Sequence, residues 1–406
     1  MLPRDVIIDL DCFFASVEQE LRPELRGRPV GVVPVVAEST CCIAASKEAK
    51  AFGVKTGTRV RDARQLCPHV ALVEARPAMY LEFHRRFLTA LEVFMPVAEV
   101  MSIDEVWCRL PDNVKTVEEA EKFFDRLKAT LSAQIGDVVT CSVGMAPNRF
   151  LAKLASDMGK PDGFFLIQKP DLPRCLHRLK LRDFCGIGKN MEKRLVDHGI
   201  TTVAQLTAAP RETLHAVWGS INGFHMWHWL RGEVTELPPT QRRTIGHSHV
   251  LPTKLRNEIG VRAVSHKLLQ KAAMRLRKLD FYATGLQAFI KYEDKQEWSR
   301  EIRFTETQDT FVFLDALEKL WEHRPRRAGV PPQATGVTFA PLVPASRVTP
   351  DLLLHNPAHE KICRAMDTLN KLHGKNTITF GGALGALEYS PMRIAFTRIP
   401  DQETEG

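Results

Sequence analysis

The stretch VIIDLDCFFASVE, residues 6–18, and the stretch MSIDEVW, residues 101–107, each carry a strand-like apolar run into carboxylates: Asp9 and Asp11 in the first, Asp104 and Glu105 in the second. A carboxylate beside an apolar run is costly to keep charged unless something positive meets it. Two such clusters can converge on one cation centre if their strands are neighbours in a sheet. Mg²⁺ suits this pattern, because it takes few carboxylates and completes its shell with substrate phosphates, and paired ions serve in-line phosphoryl transfer. Charged strand ends in solvated loops give the same spacing, so spacing alone leaves both readings open.

The surrounding segments supply the elements that would hold such a centre. Residues 5–10, the run VVTCSVG at 138–144 and the flanks of MSIDEVWCRL are of strand length and rich in β-branched residues. Between the last two, Thr116 and Glu119 form a capping box, and Val117, Ala120, Phe124, Leu127 and Leu131 share one face of a helix that Gly136 closes. The pattern predicts an α/β or α+β core with an insertion over residues 12–80 or so. That insertion carries EAKAFGVKTGTRVRDARQLCP, read as a short helix, a glycine turn and a second basic helix ended by Pro68. From Pro170 the pattern becomes short helices, with Gly186 and Gly188 between two of them, where a phosphate could approach the backbone or a bare turn could lie. The stretch GEVTELPPTQRRTIG, 232–246, reads as a linker. Beyond it, Lys267, Lys271, Arg275 and Lys278 recur opposite Val264, Leu268 and Leu276, which predicts a helix with one basic and one packing face.

Composition narrows the class. A chain of 406 residues suggests two to four domains, and 44% apolar with 26% charged residues is globular. No run of about 18 uncharged apolar residues exists, and Asp9 and Asp11 interrupt the only apolar start, so neither a membrane span nor a secretory signal is expected. The nine cysteines show no CxxC pair, which favours reduced thiols in an intracellular protein over a disulfide framework or zinc site. Net charge is +8, and residues 241–350 hold 19 basic against 11 acidic residues, so the positive field belongs to that module. A domain gripping a polyanion has this signature, and so does an Arg-rich solubilising surface.

DLDCFFASVEQ, AASKEAKAFGV, SIDE, CSVGMAPNRFLAKLASDMGKPDG and CGIG, in this order and at these intervals, closely resemble the Y-family DNA polymerases, which copy damaged templates. The resemblance runs from about residue 5 to 345. It implies a multidomain α+β right hand: palm at 1–11 and 80–168, small fingers at 12–79, helical thumb with a helix-hairpin-helix at 169–233, linker at 234–243, α+β little finger at 244–345, and an added C-terminal extension at 346–406. It implies two Mg²⁺ ions, held by Asp9, Asp104, Glu105 and the Leu10 carbonyl, with Asp11 not a principal ligand. Asp9, Asp104 and Glu105 become the catalytic set, Glu105 close to the primer 3′-hydroxyl. Phe14 matches the steric gate against a ribose 2′-hydroxyl, and Phe13 is expected in the core beside it. Cys12, Phe13, Ile43, Lys47, Lys50 and Lys160 complete the expected nucleotide site, Lys160 meeting the triphosphate. Gly186, Gly188 and Lys189, with Arg243, Lys267, Lys271 and Arg275, are expected on DNA.

Three departures from the family pattern matter. The fingers helix usually offers Tyr and Arg to the triphosphate, whereas here Lys47 and Lys50 stand there, which keeps charge and loses the Tyr hydroxyl and the bidentate Arg geometry. After SIDE the chain reads VWCRL where the family commonly continues toward a further Asp. The last sixty residues lie outside the polymerase core and contain no recognisable clamp-binding motif, so a sliding clamp stays a candidate partner without a site. His225 and His228 have HxxH spacing, but with no third ligand near and Trp227 and Trp229 alongside they read as a packed thumb helix. His247 and His249 are expected as surface or DNA-facing strand residues. The reading is a monomeric, cytoplasmic, nucleoid-associated translesion polymerase of low fidelity with primer-template DNA and dNTPs as partners. The rivals are a catalytically weak or inactive DNA-binding accessory protein and a metal-dependent nuclease.

Overall fold

The computed structural model describes residues 2–38, 40–235, 241–324, 327, 329–348, 356–387 and 399. Two compact units divide between residues 237 and 238. In chain order the first unit contains β1 (Asp5–Leu10), α1 (Phe13–Leu21), β2 (Val30–Val33), β3 (Ala44–Ala45), α2 (Lys47–Ala51), α3 (Val60–Leu66) and β4 (Ala71–Glu74). It continues with α4 (Pro77–Glu92), β5 (Val97–Val100), β6 (Glu105–Arg109), α5 (Val117–Ile135), β7 (Cys141–Ala146), α6 (Arg149–Met158) and β8 (Phe164–Leu166). Four helices close it: α7 (Lys189–Asp197), α8 (Val203–Ala208), α9 (Arg211–Trp218) and α10 (Asn222–Trp229).

The first unit holds a five-stranded sheet of order β5-β6-β1-β7-β8, where the palm is expected. DVIIDL is buried along its whole length because β1 is the central strand and pairs antiparallel with β6 on one side and β7 on the other. A strand covered on both faces tolerates a continuous apolar run, and that is what the sequence supplies. The expected strand at 138–144 begins three residues later, at Cys141, since Asp137 to Thr140 form the approach to β1 and only then does pairing start. Helix α5 forms as read, with the Thr116–Glu119 capping box and Gly136 at φ 100° closing it. Helix α6 lies close on β7: a Cβ at Gly144 would meet Ser156 N at 2.1 Å and Ala152 O at 2.2 Å, so only glycine lets this helix approach. Asn148 caps α6 by accepting from Leu151 N at 2.8 Å, and its amide NH₂ donates to the carbonyls of Trp229 and Glu233, both at 3.0 Å. One side chain thereby starts α6 and anchors the end of α10.

A second, small sheet, β3-β2-β4, lies within the residues expected as fingers, with a core of Val33, Cys42, Ala45, Ala49, Val54, Val60, Ala63 and Cys67. Helices α7 to α10 share a core with α6 and the five-stranded sheet that runs from Ile7 and Leu151 to Leu214 and Leu230.

The second unit adds β9 (Ile245–Val250), α11 (Glu258–Lys278), β10 (Phe281–Tyr292), β11 (Glu297–Thr307), α12 (Thr310–Glu322), β12 (Pro332–Phe339), β13 (Leu342–Pro344) and α13 (Pro357–His373). Its sheet has the order β11-β10-β12-β9, with β13 on β10. Leu286, Ala288, Ile290 and Tyr292 alternate inward along β10 against Leu268, Leu269, Ala272 and Phe313 of the helices, while Gln287 and Lys291 face out. His249 is 6% exposed and belongs to the inner side of β9, which corrects its expected place on the surface. Among the described residues no helix is long and apolar enough to cross a membrane.

Candidate active site

The register places Asp9 of β1 directly opposite Glu105 of β6 and, on its other side, Ser142 of β7. Leu10 N donates to the Asp104 carbonyl at 2.8 Å, so the SIDE turn is tied to the same strand end. Ser102 Oγ donates to Asp104 Oδ1, and Met101 and Ser102 donate their amides to the Glu105 carbonyl at 3.0 and 3.1 Å. From α4, the buried His84 donates Nδ1–H to the Ile103 carbonyl at 2.7 Å. Burial holds the His84 pKa below its ordinary value, so the neutral ring with its proton on Nδ1 fits this bond. Asp9, Asp104 and Glu105 are brought together as the sequence reading expects.

Asp11 has another task. Its carboxylate accepts from Ser142 Oγ at 2.9 Å, Thr140 Oγ1 at 3.1 Å and Asp162 N at 2.8 Å, and its own carbonyl accepts from Ser16 Oγ at 2.7 Å. These bonds fix β1, α1 and the 160–163 loop together.

The carboxylates are not left waiting, and this corrects the picture of unpaired acids. Lys153, on α6, donates to Asp9 Oδ2 at 2.5 Å and lies 3.6 Å from Glu105 Oε2 and 3.3 Å from Asp157 Oδ1. Lys160 reaches the same Asp9 oxygen at 2.9 Å and Asp157 at 2.9 Å. Burial works against the Lys153 ammonium, yet Asp9, Asp157 and Glu105 together raise its pKa above the ordinary value. Burial first, then the Asp9 charge, raises Asp104. Burial pushes Glu105 up to about 7, partly opposed by Lys153 and reinforced by Asp9. Glu105 Oε1 is buried with no hydrogen-bond partner. Among the described residues no three acidic, His or Cys side chains already surround a common point, and an ammonium lies between Asp9 and Glu105. The donor set nonetheless fits a hard divalent cation: oxygen ligands only, negative in excess at Asp104 and Glu105, with one buried carboxylate oxygen unspent.

Of the expected nucleotide residues, Lys160 reaches Asp9, and Cys12, Phe13 and Phe14 follow β1 directly. Cys12 is at φ 52° where β1 turns into α1, and Phe13 and Phe14 follow it, both buried. Phe14 stacks on Tyr80 with centroids 4.6 Å apart, and the Tyr80 hydroxyl donates to Glu18 Oε1 at 2.8 Å. Arg76 grips the same buried Glu18 through two bonds of 3.0 and 2.6 Å. The Phe14 ring is therefore held from behind. Ile43 is half-buried, its amide donating to Val32 at 2.8 Å, while Lys47 and Lys50 are exposed on α2 and make no ion pair among the described residues. Leu10 is buried at the strand end opposite Cys141. In the thumb, Gly186 at φ 86°, Gly188 and Lys189 are exposed at the start of α7, with open space around both glycines; the element before them is only the 3₁₀ turn Leu181–Asp183. Arg243 is exposed. His225 and His228 lie within α10, His225 stacking on Trp229 and His228 bonded to Glu233, as a packed helix requires.

Lys267 corrects the expected basic face of α11. It is 5% exposed, and its ammonium donates to the carbonyls of Ala386 at 3.1 Å and Leu387. The 3₁₀ segment Gly381–Ala386 covers this part of the helix, so Lys267 cannot meet DNA; Lys271 and Arg275 are half-buried on the same side. Sequence reasoning also missed Lys153, Asp157, Tyr80 and His84. The Lys153–Asp157 pair had a signal in its i, i+4 spacing within a segment already singled out; Tyr80 and His84 had none.

The impB/mucB/samB family model matches residues 8–157 and its C-terminal domain model residues 242–352. DNA polymerase IV of Moorella thermoacetica is 34% identical over 92% of this chain and 94% of its own, and DNA polymerase IV of Pelotomaculum thermopropionicum is 30% identical over 92% and 93%. Among solved structures, a Dbh–Dpo4 chimera has a TM-score of 0.70 at 24% identity, covering 84% of this chain and 99% of that one. The insertion ternary complex of Dbh DNA polymerase gives 0.56 with the same identity and coverage, and these likenesses define the fold. The chain belongs to the impB/mucB/samB family, that of the Y-family DNA polymerases.

The charge arrangement gives a stability prediction in a chelator. Glu105 has a folded-state pKa of about 7 against an ordinary 4.5, so the folded state favours its protonated form and loses that advantage as pH rises from 4.5 through 7. At pH 8 the charged carboxylate is a net cost. Glu105→Gln should raise the melting temperature at pH 8, by an amount that shrinks toward pH 5, whereas Asp9→Asn should lower it by removing the shortest ion-pair partner of Lys153 and leaving Lys160 with Asp157 alone. Scanning calorimetry of both variants checks this, and equal shifts of one sign would contradict it.

Proposed function

We infer that this chain is a template-directed DNA polymerase that adds deoxynucleotides to a primer 3′ end and copies damaged template. The observation that carries the reading is the β1–β6 register, which sets Asp9 against Glu105 with Asp104 beside them and leaves Glu105 Oε1 buried and unspent. The family membership, and relatives that are named DNA polymerases along nearly their whole length, support the same reading. A non-catalytic accessory role has nothing in its favour, since every acid of the site is present and gathered.

Asp9, Asp104, Glu105 and the Leu10 carbonyl would hold two Mg²⁺ ions. When bound, such ions lower the charge on the phosphates and clamp the attacking and leaving oxygens. The bond formed joins the primer 3′-oxygen to the α-phosphorus, and the bond broken releases pyrophosphate. The chain's residues do the positioning. Lys160, 2.9 Å from Asp9, is placed at the edge of the carboxylate cluster where a triphosphate would draw its ammonium away. Asp157 then retains Lys153 as the neighbouring countercharge. Lys47 and Lys50 offer mobile ammonium groups from the fingers in place of a fixed hydroxyl and a guanidinium. Phe14, backed by Tyr80, presents a wall to C2′ of the sugar. The exposed amides at Gly186, Gly188 and Lys189 are suited to a backbone phosphate of the primer-template duplex, and Arg243 adds a charge in the second unit. We place its work in the cytoplasm, on chromosomal DNA.

Asp104→Ala should abolish primer extension in Mg²⁺ while leaving duplex affinity within about threefold, because duplex affinity resides in phosphate contacts elsewhere. Extension that survives would contradict the assignment of the acid. Phe14→Ala should raise the ratio of ribonucleotide to deoxynucleotide incorporation at least tenfold with only a mild loss of deoxynucleotide addition. An unchanged ratio in single-nucleotide kinetics would make Phe14 a core residue only.

A further inference from the structure

Helix α4 turns one line of residues toward the carboxylate site. Arg76 at its N-cap, Tyr80 and His84 follow at four-residue intervals and so share a face. The first two grip α1: Arg76 and the Tyr80 hydroxyl hold the buried Glu18, and the Tyr80 ring stacks on Phe14. The third reaches another element. His84, 5% exposed, donates Nδ1–H at 2.7 Å to the carbonyl of Ile103, the residue immediately before Asp104.

That carbonyl accepts no other hydrogen bond among the described residues, and Ile103 is 1% exposed, so removing the donor leaves a buried backbone acceptor unpaired. The peptide group that carries this oxygen also carries Asp104 N. Turning its plane therefore swings the Asp104 carboxylate. The amide end of the same group reaches only Ser102 Oγ, at 3.3 Å, within the turn itself, and the bond from Leu10 N ties the peptide after Asp104 rather than the one before it. His84 is thus the anchor outside the turn for this peptide plane among the described residues.

We propose that His84 is a positioning residue for nucleotide addition: by holding the Ile103 carbonyl it fixes the peptide plane from which the Asp104 carboxylate extends. The role rests on the polymerase reading of the site. His84 acts through Asp104 and touches no reacting atom. An acid that must meet attacking and leaving oxygens at once tolerates little drift, and a misplacement of about 1 Å can cost about 10²-fold in rate. Tyr80 stands one helical turn before His84, so the same length of α4 spaces the Phe14 wall from the acid.

The test compares three variants of the full chain. His84→Asn places an amide N–H where Nδ1 stands, His84→Gln carries its amide one atom farther, and His84→Leu has no donor. Amide hydrogen exchange over residues 101–107, in chelator and without DNA, should be faster in His84→Leu and His84→Gln and near that of the parent in His84→Asn. In single-turnover extension the maximal rate should fall about tenfold or more in the first two and stay within about threefold in His84→Asn, with the half-saturating dNTP concentration nearly constant throughout. Asn fills the least volume of the three, so a merely structural role would make His84→Asn the most impaired and would make loss of rate follow loss of melting temperature. That order would overturn the proposal, as would equal rates in His84→Asn and His84→Gln, a comparison that holds even if His84→Leu does not fold. A parent chain that extends no primer would overturn the polymerase reading and this role with it; an active parent with unaltered exchange and rate in His84→Gln would overturn the role of His84 alone.

Discussion

Three carboxylates held at one corner of a sheet repel each other, and most of the palm is arranged to keep them there. Antiparallel pairing forces Asp9 and Glu105 face to face, and the amide of Leu10 ties in the Asp104 carbonyl. Two lysines from one helix and the loop after it offset the repulsion chiefly at Asp9, where both reach one oxygen, and Lys153 only partly at Glu105. Asp104 and Glu105 are left with raised proton affinity, one with an unspent oxygen. The site is thus half neutralised by the chain itself and half open to a cation from outside.

That helix could not supply its lysines from farther away. The absence of a side chain at Gly144 lets α6 settle onto β7, and the Asn148 cap sets where the helix begins. The loop that carries Lys160 is fastened by Asp11, which spends its carboxylate on Ser142, Thr140 and the Asp162 amide. Asp11, two residues after Asp9, thus acts as a rivet. Glu18, gripped by Arg76 and Tyr80, has the same character behind the Phe14 ring.

Much of this was legible in the residues. The apolar-to-acid runs, the Thr116–Glu119 box and the fingers helices can be read because each is a local pattern. Family wording, rather than spacing, distinguished a metal centre from solvated strand ends. What could not be read is tertiary. His84 and Tyr80 lie on a helix whose sequence does not say what it faces, and Lys153 becomes a countercharge only once α6 lies on the sheet. Lys267 shows the same limit in reverse: its helical spacing with Lys271 and Arg275 suggested a face for DNA, and the chain's own segment 381–387 covers it. Charge periodicity identifies a face but not its partner.

The central claim is that Asp9, Asp104 and Glu105 form one divalent-cation centre whose charge Lys153 and Lys160 balance in part. Counting Mn²⁺ bound to the chain with primer-template and an unreactive dNTP analogue, by electron paramagnetic resonance, tests it most directly. Two ions per chain, and a clear loss of tightly bound Mn²⁺ in Asp104→Asn, is the predicted result. Equal stoichiometry and affinity in that variant would contradict the account.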